Sequence, residues 1–85
     1  MNPFIRKMVN YKLNQLKSKE ELIKLAQGYQ IFLTTEQARK ILSLMKKETI
    51  DIGDEDQINR LLKQIGKEVD KATEDKFRKL FNSLT

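Results

Sequence analysis

The acidic stretch from Asp51 to Asp56 comes nearest, in residue type and spacing, to a metal-binding loop. A calcium-binding EF-hand loop needs oxygen ligands at its first, third, fifth and twelfth positions and a glycine at its sixth. Counted from Asp51, Gly53 falls at the third position and Leu62 at the twelfth, so the pattern fails. We therefore predict no metal site here, and expect Asp54 to cap a helix whose first turn holds the remaining carboxylates.

Catalytic chemistry has few possible carriers, because the chain contains no histidine, cysteine or tryptophan. Ser18, Ser43 and Ser83 have no histidine to activate them as nucleophiles. The three glycines stand singly rather than in a phosphate-binding loop. We expect a protein that is not an enzyme and that holds neither a cofactor nor a metal.

Basic residues are concentrated in the N-terminal half. Residues 1–47 carry ten Lys/Arg against three Glu, whereas residues 48–70 carry three against seven acidic residues. Weak, sequence-indifferent DNA or RNA binding is therefore one alternative, although scattered single cations are also typical of a solvated surface. The alternative assigns phosphate contacts to Lys7, Lys12, Lys17, Lys24, Arg39, Lys40, Lys46 and Lys47.

The segment from Ser18 to Met45 resembles the helix–extended–helix arrangement of SAP- and LEM-type modules, some of which bind DNA. The basic residue that those modules often place at the start of their second helix is absent, since Thr35-Glu36-Gln37 stands there. The six aromatic residues lie on or beside apolar stripes. We expect them in the core rather than in a base-stacking surface.

Apolar residues at helical spacing predict an all-α fold, an orthogonal bundle of about five short helices forming one domain over residues 1–85. Asn2 should cap the first helix (about Pro3 to Leu16), and Ser18 the second. Thr34 or Thr35 precedes the third helix, Asp54 the fourth, and the fifth begins between Asp70 and Thr73. The expected core is Ile5, Val9, Leu22, Leu25, Ile41, Leu42, Met45, Ile58, Leu61, Leu62, Ile65, Phe77, Leu80 and Phe81. Replacing Leu61 by Ala should cost roughly 2–4 kcal/mol.

Two connecting segments carry a similar pattern. Ile31-x-Leu33 and Ile50-x-Ile52 each precede a capped helix and are offset by 19 residues. We predict that they lie side by side as a minimal β bridge, the alternative being a coincidence of helix signals. Gly28 is the expected left-handed residue at the end of the second helix.

The first helix has an apolar arc of roughly 200°, wider than the ~100° stripe of a helix covered on one side. Phe4, Met8 and Tyr11 lie on one edge of that arc, and Lys12 falls within it. We predict that this edge is exposed and forms a protein interface. The alternative is that the fifth helix buries it through Phe77 and Phe81.

No apolar run approaches the roughly 18–20 residues of a membrane span, so we expect a cytoplasmic protein without a membrane partner. The predicted function is non-catalytic protein–protein interaction or self-association, with an unidentified partner.

The whole chain also resembles a family of short, uncharacterised helical proteins from Bacillus-type Firmicutes. The resemblance rests on Asn2-Pro3-Phe4, Leu33-Thr34-Thr35-Glu36-Gln37-Ala38, Ile50-Asp51-Ile52 and Leu80-Phe81. It implies an all-helical cytosolic fold and brings no known activity, ligand or catalytic residue.

Overall fold

The computed structural model describes residues 2–84, most of which lie in five α-helices. The helices are α1 (Pro3–Asn14), α2 (Lys19–Gln27), α3 (Thr35–Met45), α4 (Glu55–Glu68) and α5 (Lys71–Ser83). The predicted all-α fold is thereby confirmed. The predicted β bridge between 31–33 and 50–52 is wrong, since residues 2–84 contain neither a strand nor a bridge.

Each helix begins after a side-chain oxygen that accepts a hydrogen bond from a backbone N–H in the first turn. Asn2, Ser18 and Asp54 are the caps of α1, α2 and α4, as the sequence predicts. At the two starts that the sequence left open, Thr34 caps α3 and Asp70 caps α5. The caps follow from local sequence because each acts within three residues of itself.

The end of α2 differs from its prediction. Gly28 is right-handed, with φ −60°, and the left-handed residue is Gln30, with φ 62°. The chain makes one more turn after Gln27 before the Ile31 N–H donates to the Ala26 carbonyl at 2.9 Å. The left-handed position therefore comes two residues later than glycine placement suggests.

One apolar core joins all five helices and the two longer connections. Of the predicted core residues, seven are buried: Leu22, Ile41, Met45, Ile58, Leu62, Ile65 and Phe77. Six are half-buried and pack against them: Val9, Leu25, Leu42, Leu61, Leu80 and Phe81. Ile5 was predicted wrongly and is 37% exposed. The core also contains Leu16, Ala26, Ile31, Ala38, Leu44, Ile50 and Ile52.

Helices α4 and α5 pack against each other, and α3 lies against both α2 and α4. Gly66 of α4 lies directly against Glu74 of α5, and a Cβ at position 66 would lie 2.0 Å from Oε1 of Glu74. Glu74 is only 5% exposed, and its carboxylate pairs with Arg78 at 2.7 Å and Lys71 at 3.3 Å. The hydrogen bond from Arg78 lowers the pKa of Glu74 below its ordinary value.

Helix α1 is attached differently, since none of its Cα atoms comes within 8 Å of a Cα atom in another helix. Its Val9 and Leu13 still pack against the core with their side chains. Within residues 2–84, no helix combines the length and apolar character needed to cross a bilayer.

Candidate interaction surface

A polar face of α1 fixes this helix to the connection between α3 and α4. Asn10 and Asn14 are four residues apart and therefore share one face. Asn14 accepts a hydrogen bond from the Ile50 N–H at 2.8 Å and donates to the Ile50 carbonyl at 2.9 Å. Asn10 accepts from the Ile52 N–H at 2.7 Å. The two asparagines thus occupy backbone groups that the predicted β bridge would have needed.

Asp51 completes this attachment. It accepts hydrogen bonds from Nε and Nη2 of Arg6 at 2.8 and 2.5 Å, from Asn10 at 2.9 Å and from the Gly53 N–H at 2.9 Å. The Arg6 hydrogen bond above all, and then that of Asn10, hold the pKa of Asp51 far below its ordinary value. We call Arg6, Asn10, Asn14 and Asp51 the α1 clamp.

The acidic stretch therefore has structural roles in this fold. Asp51 anchors α1, and Asp54 caps α4 through the Gln57 N–H at 3.1 Å. Among the residues that the structure describes, no group of three or more acidic side chains converges as metal ligands would.

Phe4, Met8 and Tyr11 lie on the side of α1 away from the clamp, and we call them the outer stripe. Their exposed fractions are 74%, 45% and 67%. Helix α5 leaves them uncovered, so the expected exposure of this edge is found. That the outer stripe is an interface stays a prediction.

The outer stripe has positive edges. At 100° per residue, Lys7 lies about 40° from Tyr11 on one side, and Lys12 about 40° from Met8 on the other. Within residues 2–84 neither lysine has a hydrogen-bonding or ion-pairing partner, whereas the charge of Arg6 is matched by Asp51. Because α1 contains no acidic residue, its outward surface is apolar between two unmatched cations.

An apolar cavity of about 80 Å³ lies beneath α1, with walls from all five helices. Its exposed lining residues are Met8, Lys12 and Tyr29, which mark where it meets solvent. Lys12 is the single charged residue among those described that line it. The outer stripe and the cavity therefore share Met8 at their common border.

Four of the six aromatic residues that were expected in the core are exposed instead: Phe4 and Tyr11 of the outer stripe, and also Tyr29 and Phe32. Tyr29 is 46% exposed and Phe32 is 70% exposed, although both were expected in the core. The extra turn that ends in Gln30 directs this segment so that Ile31, between the two aromatics, is buried at 5%.

The eight basic residues of the nucleic-acid alternative are distributed over α1, α2, α3 and the segments that follow them. Three have partners within the fold. Arg39 pairs with Glu36 at 2.5 Å, Lys40 donates to the Glu68 carbonyl at 3.4 Å, and Lys46 donates to the Leu16 carbonyl. The alternative stays a prediction.

Residues 1–85 match the family model described as "Protein of unknown function (DUF2624)", so the chain belongs to that family. No curated protein and no solved structure matches the chain.

Proposed function

We propose that this member of the DUF2624 family is a non-catalytic interaction module that binds another protein, or a second copy of itself, through the outer stripe of α1. The observation that supports the proposal is that Asn10 and Asn14 fix α1 to the α3–α4 connection while Phe4, Met8 and Tyr11 stay exposed. A helix that served the core alone would bury these large apolar side chains as well.

The size of the outer stripe agrees with this role. Taking about 200 Å² for each fully exposed side chain, the three together expose roughly 370 Å² of mainly apolar surface. The largest apolar patch of a typical monomer measures about 300–600 Å² and is often functional. Burying the outer stripe against a partner would remove from water apolar area that folding leaves exposed.

Site-specific photo-crosslinking in the native cell tests the proposal. A benzoylphenylalanine at position 11 replaces an aromatic residue with a larger one at a site that is 67% exposed, so the fold should tolerate it. The matched control places the same group at Lys63, an exposed position in α4. We expect a discrete adduct from position 11 that is absent from position 63. An adduct of twice the chain mass would identify self-association.

A second variant separates binding from folding. Tyr11→Ser should change the free energy of unfolding by no more than about 0.5 kcal/mol, as at other surface positions. Crosslinking from position 8 should nevertheless fall in this background. Equal adducts from positions 11 and 63, or none from either, would refute the proposed function.

A further inference from the structure

The cavity beneath α1 has the size of a side-chain tip rather than of a small-molecule ligand. Its volume of about 80 Å³ is well below the roughly 300–1,000 Å³ of ligand pockets. An apolar cavity of about 150 Å³ holds the six carbons of benzene, so about 80 Å³ accommodates roughly three carbons. The end of one leucine, isoleucine or methionine side chain fits this space.

A second copy of the chain is a poor occupant for this surface. Two outer stripes packed face to face would bury roughly 740 Å², whereas stable interfaces bury about 1,200–2,000 Å². Such pairing would also bring Lys7 and Lys12 of one copy towards the same residues of the other, since α1 has no acidic residue to separate them. Like charges in juxtaposition disfavour that contact.

These observations together indicate the chemistry of the partner. Building on the proposed function, we propose that the outer stripe and the cavity beneath α1 bind an acidic amphipathic helix of another protein. One aliphatic side chain of that helix enters the cavity beside Met8, and its flanking carboxylates face Lys7 and Lys12. Anchoring by apolar residues at helical spacing in a groove is an established mode of helix recognition.

The test selects peptides with the full chain as bait. A display library of amphipathic helical peptides, each about 15 residues long so that helix can form, is enriched against the immobilised protein. We expect enriched sequences to combine an excess of Asp and Glu with one Leu, Ile or Met at a fixed position. When the Lys12→Glu variant replaces the parent protein as bait, the affinity for the selected peptides should fall about tenfold. New selections against this variant should favour basic sequences.

A cavity-filling variant tests the anchor separately. Ala26 lines the cavity and is only 3% exposed, and Ala26→Leu adds three carbon atoms, which matches the available volume. We expect the melting temperature of this variant to be no lower than that of the parent. The variant should bind a selected peptide that carries its aliphatic anchor no better than it binds the same peptide with Ala at that position. If Ala26→Leu fails to fold, the Lys12→Glu result decides the proposal.

Several outcomes would overturn this partner assignment. They are the absence of any enriched peptide, enriched peptides without acidic excess, and binding that is unchanged by Lys12→Glu. Sedimentation of the full chain with vesicles of phosphatidylglycerol and phosphatidylcholine, lost in Tyr11→Ser, would instead assign the surface to a membrane. A discrete crosslink from position 11 alongside any of the first three outcomes would leave the proposed function standing and reject only the acidic partner.

Discussion

Replacing Asn14 by Ala should loosen α1 while leaving the rest of the core in place. The substitution removes two hydrogen bonds to the Ile50 backbone, of 2.8 and 2.9 Å. Each such bond contributes about 0.5–1.5 kcal/mol net, and the better helix propensity of alanine returns up to about 0.7 kcal/mol. We expect a loss of about 1.5 kcal/mol, which is a large share of the roughly 4–13 kcal/mol usual for this chain length.

Thermal unfolding followed by circular dichroism measures this loss. For a domain of this size, 1 kcal/mol corresponds to about 4–8 °C, so the melting temperature should fall by roughly 6–12 °C. Hydrogen exchange should quicken first in the amides of α1. Lys7→Ala is the matched control, since Lys7 is exposed on the same helix and has no partner within residues 2–84.

A second substitution at the same position sharpens the test. Asn14→Asp keeps an oxygen that can accept from the Ile50 N–H but turns a carboxylate towards the Ile50 carbonyl, which then loses its donor. It should destabilise the protein at neutral pH at least as much as Asn14→Ala does. If the melting temperatures of both variants equal that of Lys7→Ala, the clamp does not hold α1 in place.

Three further predictions concern stability. Gly66→Ala should lower the melting temperature despite a gain in helix propensity of about 1 kcal/mol, because the new methyl group displaces the buried Glu74 carboxylate; a higher melting temperature would contradict this. In chemical denaturation, Leu62→Ala should lower the free energy of unfolding by about 3–4 kcal/mol and Leu61→Ala by about 2 kcal/mol, because Leu62 is 2% exposed and Leu61 is half-buried. A reversed order would disprove the burial argument. The Asp51 and Glu74 carboxylates have lowered pKa values in the folded state, so their stabilisation is present above about pH 4 and is lost as the pH falls further. Asp51→Asn should accordingly flatten the fall in stability between neutral and acid pH, and a curve parallel to that of the parent would argue against the ion pair.

Local features of the sequence were sufficient to predict most of the fold. The caps at Asn2, Ser18 and Asp54 act within three residues, and the stripes of α3, α4 and α5 follow a helical period. The end of α2 was missed because a left-handed Gln30 has no local signal as strong as that of Gly28. Glycine is permitted in that conformation but does not require it.

The orientation of α1 was only half predictable. Its apolar arc correctly indicated that one edge would be exposed, but hydropathy treats polar residues as solvent-facing by default. Asn10 and Asn14 instead face the protein, and their partners at Ile50 and Ile52 lie about forty positions away in the chain. The signal available in the sequence was the regular four-residue spacing of Arg6, Asn10 and Asn14, which places these polar residues on one face of the helix. Such a face could have suggested hydrogen bonding to a segment with free backbone groups.

The clamp separates two kinds of selective constraint on a single helix. Arg6, Asn10 and Asn14 hold α1 in place, whereas Phe4 and Tyr11 contribute little to that attachment. Substitutions in the outer stripe can therefore accumulate without crossing a stability threshold. Under the proposed function, the outer stripe can diversify among relatives while the fold is maintained, so binding specificity can evolve at small thermodynamic cost.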